Sequence, residues 1–199
     1  MRAYTINNIE ETMIKKGYVW FNSQSDYDVN IVGIRNSDPG ENVTNLFDDL
    51  MTISYKVHNT WVHIEWPCTT DPGKKGVLEY HNPNGVARLV PGQYRKAYQL
   101  GLHQGKYQAL CQRAPVKVYR DKDKDLQFDV DSIQEGIFGI NIHRSNPTTE
   151  STFVENWSEG CQVFKRVKDF QEFMKICNLA AKLHGNNFTY TLLESKDII

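Results

Sequence analysis

The strongest constraint on this chain is a repeated pattern of short alternating runs, each closed off by turn residues. Met51-Thr-Ile-Ser-Tyr-Lys-Val57 and Trp61-Val-His-Ile-Glu-Trp66 alternate at period two and flank His58-Asn59-Thr60. β-branched and aromatic residues at that period suit a pleated, half-buried surface, so the pair predicts a β-hairpin. Further strand patterns run from Tyr27 to Ile34, Tyr107 to Gln112, Val116 to Tyr119, Gly136 to Ile142 and Phe188 to Leu193. Between 67 and 92 stand Pro67, Pro72, Gly73, Gly76, Pro83, Gly85, Pro91 and Gly92, which predict turns with short strands at most.

Helical spacing is rarer. From Val167 to His184, Phe170, Phe173, Cys177, Ala180 and His184 recur three and four apart, with Asp169 in the first turn and Gly185 just beyond the end. A shorter helix is expected over Ile6 to Lys16, started by Asn7 or Asn8 and stopped at Gly17. Many short strands with one or two packed α-helices predict a mainly β fold, a largely antiparallel sandwich or barrel. The 199 residues suit one core. The expected division is an N-terminal helical appendage over 1–17 and one domain over 18–199.

Charge and cysteine usage narrow the function classes. A net charge of -1 carries no basic footprint for nucleic acid or an anionic membrane surface. No apolar run is long enough to span a bilayer, so no membrane insertion is expected. Met1 to Gly17 has no apolar signal core and no small-residue cleavage site, which leads us to expect synthesis in the cytoplasm without a signal peptide. Cys68, Cys111, Cys161 and Cys177 include no CxxC pair and are expected to be free thiols. Asp121-Lys-Asp-Lys-Asp125 resembles the start of a calcium loop, but Leu126 and Ser132 occupy the EF-hand positions for Gly and Glu. It reads as a solvated hairpin tip. No His/Cys pair has zinc spacing, so neither metal nor cofactor is expected.

The segment that carries chemistry is Gly139 to Phe164. A buried-looking run delivers His143; after fourteen intervening residues comes Ser158-Glu159-Gly160-Cys161. Glycine before cysteine permits a tight backbone and an approachable thiol. A nucleophilic thiol needs a neighbouring base, and His143 is the candidate. Taken singly, Cys161 also suits a buried structural thiol and His143 a core histidine.

This order and spacing resemble the L,D-transpeptidase catalytic domain (YkuD type), which carries a His, a similar interval, and Ser/Thr-His-Gly-Cys. Thr69 to Gly73 and Leu89 to Tyr94 are similar to the loops that precede the site in phage-borne relatives. The resemblance spans 18 to 193, and its specific part is the His-to-Cys segment. It implies an L,D-transpeptidase-type β-sandwich or barrel and a thioester mechanism on peptidoglycan stem peptides. Cys161 would be the nucleophile and His143 its base, oriented by the backbone carbonyl of Arg144. The amides of Gly160 and Cys161 would form the oxyanion hole. The chain departs from the family at Glu159, where a histidine is usual; a carboxylate there would raise the Cys161 pKa if it pointed inward, or select a cationic group of the substrate.

Around that set, Ser158, Arg144, Tyr94, His103 and Trp157 are expected to contact substrate, Arg144 as a clamp for a carboxylate. Hydrolysis by a phage-encoded enzyme is expected first. It would act at the cell wall as a virion component or once the membrane is breached. Cross-linking transpeptidation and an inactive virion or self-associating module are the alternatives.

Overall fold

The computed structural model describes residues 3–37, 42–80 and 82–198. Met1 and Arg2, at the head of the expected appendage, and Ile199, at the end of the expected domain, lie outside them. In chain order the elements are α1 (Ile6–Lys15), β1 (Asn30–Arg35), β2 (Asp49–Val57), β3 (Thr60–Thr69) and α2 (Lys74–Glu79). Next come β4 (Val86–Leu89), β5 (Gly92–His103), β6 (Tyr107–Gln112), β7 (Val116–Asp121) and β8 (Ile133–Gly136). Last are β9 (Ile142–Arg144), β10 (Gln162–Phe164), α3 (Val167–His184) and β11 (Phe188–Glu194).

The predicted hairpin forms as β2–β3, with Val57 paired to Thr60 across a two-residue turn. His58 and Asn59 both take positive φ, 48° and 62°, the geometry whose twist matches that of the strands. Eight strands then close into a barrel in the order β1-β11-β5-β6-β9-β10-β3-β2. The fold is therefore mainly β, as expected, and the barrel form is the one realised. Two of its pairs, β1–β11 and β9–β10, are parallel. A smaller sheet, β4-β7-β8, stands beside the barrel.

The main core joins the barrel to α3. Phe173 and Phe164 have ring centroids 5.0 Å apart, and Trp66 meets Phe173 edge-on at 6.0 Å. Trp66 also donates its indole N–H to Glu172 at 3.1 Å, so the ring is buried without an orphaned donor. Helix α3 runs over the predicted residues. Tyr190 packs against Gly33, where an added Cβ would overlap its phenol. A second cluster seats α1 on the barrel wall, with Ile9 and Met13 buried against Val32, Ile34 and Leu193. Burying each such side chain contributes about 1.5–3 kcal/mol.

Several elements differ from expectation. Helix α1 is capped by Thr5, not Asn7 or Asn8; Thr5 and Asn8 form a reciprocal capping box. The first strand starts at Asn30 rather than Tyr27, whose φ of 59° is incompatible with a strand. Strand β3 runs through Pro67 to Thr69, and Pro67 still gives its carbonyl to Lys165 N at 3.2 Å. The turn-rich segment contains α2, so the described residues form three α-helices rather than one or two. The expected strand from Gly136 to Ile142 ends at Gly136. Gly139 takes φ 75°, and the Gln112 side chain accepts from Phe138 N and Ile140 N at 3.0 and 2.9 Å. Those amides are satisfied by a side chain, so no ladder is needed there.

Candidate active site

The site is built where β9 and β10 run side by side in parallel. Ile142 pairs with Gln162, His143 with Val163, and Arg144 with Phe164. Cys161 precedes β10 and stands beside Asn141; Gln162 N donates to Asn141 O at 2.9 Å. Residues separated by fourteen loop positions and more in sequence thus become neighbours through one short ladder.

The loop before the cysteine is fixed from both sides. Gly73 N donates to Ser158 O at 3.0 Å, and Ala87 N donates to Glu159 O at 3.1 Å. Gly160 has φ 134°, and a Cβ there would run into the Ala87 backbone and side chain. Only glycine fits that approach. Asn45 adds a clamp: its side chain accepts from Lys74 N and Glu155 N and donates to Glu155 Oε1 at 2.7 Å.

The imidazole of His143 is buried. Its Nδ1 lies 2.8 Å from Arg144 O. A carbonyl can only accept, so Nδ1 carries the proton and Nε2 the lone pair. Tyr107 OH, 3.2 Å from Nδ1, donates to the same carbonyl at 3.3 Å. His103 stacks on His143 with centroids 3.9 Å apart, and its Nδ1 accepts from Asn141 Nδ2 at 3.1 Å. Burial, His103 and Arg144 together push the His143 pKa down to about 3. The ring is neutral at physiological pH, with Nε2 unprotonated, and its lowered pKa makes it a weak base.

Cys161 is partly exposed and packs against Phe47, Val154 and Val163. Its thiol donates to Gly139 O and accepts from Asn141 N, both at 3.4 Å; the imidazole is not among its hydrogen-bond partners. Desolvation pushes the thiol up to about 11, with Glu159 adding to the rise and the Asn141 amide opposing it. At rest the pair is a neutral thiol and a neutral imidazole. The low thiol pKa of a preformed ion pair is absent.

A cleft of about 480 Å³ opens beside His143, lined by His103, Lys106, Tyr107, His143, Arg144 and Trp157 among others. The Arg144 guanidinium lies 4.0 Å over the Tyr107 ring and donates to Ser145 O at 3.0 Å. His103, Arg144 and Trp157 therefore share the cleft. Cys161 does not line it. Among the described residues the cleft gathers no set of three metal-ligating side chains.

Three expected roles are corrected. Ser158 does not face substrate: it is buried, with Oγ donating to Cys161 O at 2.8 Å and accepting from Gly160 N at 3.1 Å. That bond takes the Gly160 amide out of the oxyanion hole; the Cys161 amide has no acceptor among the described residues. Tyr94 lies outside the cleft, donating to Val90 O at 2.5 Å and Lys117 O at 3.2 Å, and so ties loops together. Glu159 is exposed at the rim of the thiol loop.

Sequence reasoning missed Asn141 and Tyr107. Asn141 touches thiol, His103 and β10 at once, and Tyr107 holds the carbonyl that orients His143. Both sat inside runs read only as strands. No model of a known family, no curated protein and no solved structure matches the chain.

Proposed function

We propose that the chain is a cysteine-dependent hydrolase of peptidoglycan stem peptides, with the chemistry of L,D-transpeptidase-type enzymes and a phage origin. The observation that carries this reading is the 2.8 Å bond from His143 Nδ1 to Arg144 O beside the strand that leads from Cys161. It holds the tautomer a general base needs, on the ladder where the thiol emerges.

Cys161 Sγ attacks the peptide carbonyl while His143 Nε2 takes the thiol proton. The Cys161 amide donates to the developing oxyanion. The C–N bond then breaks, His143 returns the proton to the leaving amine, and a thioester remains. Water releases the acid; an amine acceptor in place of water would give a cross-link. Arg144 and Lys106 line the cleft and suit stem-peptide carboxylates. Exposed Glu159 suits the free amine of a diamino acid; unchanged substrate preference in Glu159→Gln would remove that role.

One observation favours a second reading. The Gly160 amide is occupied by Ser158 and the thiol is held protonated, as in an inert module kept for virion assembly or self-association. Incubating wild type and Cys161→Ala with peptidoglycan, followed by mass spectrometry of the stem peptides, separates the readings. Cleaved peptides from wild type alone support the hydrolase, and new cross-links alone support the transpeptidase. No change across walls of different stem chemistry supports the inert module.

A further inference from the structure

Far along the chain from the thiol, the end of β7 gathers three carboxylates that the cleft chemistry does not use. Oxygens of Asp121, Asp123 and Asp129 all lie within 4.8 Å of one another. Asp123 and Asp129 are exposed, but Asp121 is only 1% exposed. Both of its carboxylate oxygens are buried and make no hydrogen bond of regular geometry; the Asp129 amide offers only a looser favourable approach. An anion buried in this way is costly unless something cationic completes it.

The neighbouring lysines do not supply that charge. The Lys124 ammonium sits 4.7 Å from the Tyr80 ring centroid. Among the described residues, no ion pair joins Lys122 or Lys124 to Asp121 or Asp123. We propose that Asp121, Asp123 and Asp129 bind one calcium ion, which closes the loop from β7 to β8. Calcium–oxygen distances of about 2.3–2.6 Å allow ligand oxygens up to about 4.6–5.2 Å apart, and these three lie within 4.8 Å of one another. Calcium tolerates irregular carboxylate sets completed by water, whereas magnesium demands a near-ideal octahedron. The set is not an EF-hand: it takes its third carboxylate from Asp129, beyond Leu126, whose carbonyl accepts from Val43 N at 3.0 Å.

The position gives the ion a mechanical role. Asp121 pairs with Val86, and the next residue, Ala87, holds Glu159 and closes on Gly160. Ordering Asp121 therefore steadies the strand that backs the thiol loop.

The test is thermal melting of the full chain after treatment with EDTA, with calcium, magnesium or neither added back. Calcium at about a hundredfold over its dissociation constant is expected to raise Tm by about 5–10 °C. Asp123→Asn and Asp129→Asn should lose most of that rise while still folding. Asp121→Asn should melt at or above wild type in EDTA, because it removes the buried charge, and gain nothing from calcium. An unchanged wild-type Tm, a full rise in the Asp123 and Asp129 variants, or an equal rise with magnesium would overturn the assignment.

Discussion

At Gly160 the chain accepts no side chain. Its φ of 134° and the Ala87 backbone behind it exclude a Cβ on two separate grounds. Gly160→Ala is expected to destabilise by about 1–3 kcal/mol from backbone strain alone, read as a lowered denaturant midpoint. Cys161 makes a prediction about pH. Its folded pKa is raised, so the thiolate fraction climbs roughly tenfold per pH unit through the neutral range. Alkylation of Cys161 should therefore keep accelerating past pH 8; a plateau near neutrality would instead indicate a preformed thiolate–imidazolium pair. His143, with its pKa lowered to about 3, stays neutral throughout that range and contributes no second inflection.

At the scale of elements, the segment from Ile137 to Asn141 carries more than a strand would. It presents Gly139 O and Asn141 N to the thiol, and Gln112 holds it in place of a ladder. Gln112 also donates to Ala114 O and Gly136 O, at 2.9 and 2.8 Å. Gln112→Leu keeps the volume and strands the buried Ile140 amide, at about 1–3 kcal/mol, together with three part-buried groups. We expect it to lower stability and, with it, the protection of the Phe138 and Ile140 amides in hydrogen exchange. Helix α1 is legible as an amphipathic stretch, yet its start was misplaced. Asn7, Asn8 and Thr5 all suit a cap in sequence, and the reciprocal bonds of Thr5 with Asn8 decide among them.

Across the whole molecule, a largely buried ionic knot ties the barrel to the smaller sheet. Arg35, on β1, donates to Thr70 Oγ1, Thr70 O and Leu89 O and pairs with Asp71 at 2.9 Å. Arg88 reaches the same Asp71 oxygen at 2.9 Å, and Asp49 accepts from Asn36 N and Thr70 N. These contacts join β1 to β2, to the end of β3 and to β4. Arg35→Met should cost about 3–5 kcal/mol by leaving buried partners unmatched, measured by chemical denaturation.

The mainly β class, the hairpin at His58-Asn59 and the full extent of α3 were all readable in the residues. Each rests on local physics: period-two alternation, period-3.6 spacing, or residue types close in sequence. What the sequence could not supply was set by contacts between distant segments. Closure of the barrel, the helix after Gly73 and the strand that stops at Gly136 depend on partners far along the chain. So do the loss of the Gly160 amide to Ser158 and the burial that leaves Cys161 protonated. A side chain's hydrogen-bond partner and its solvation are properties of the packed surroundings, and no local pattern encodes them.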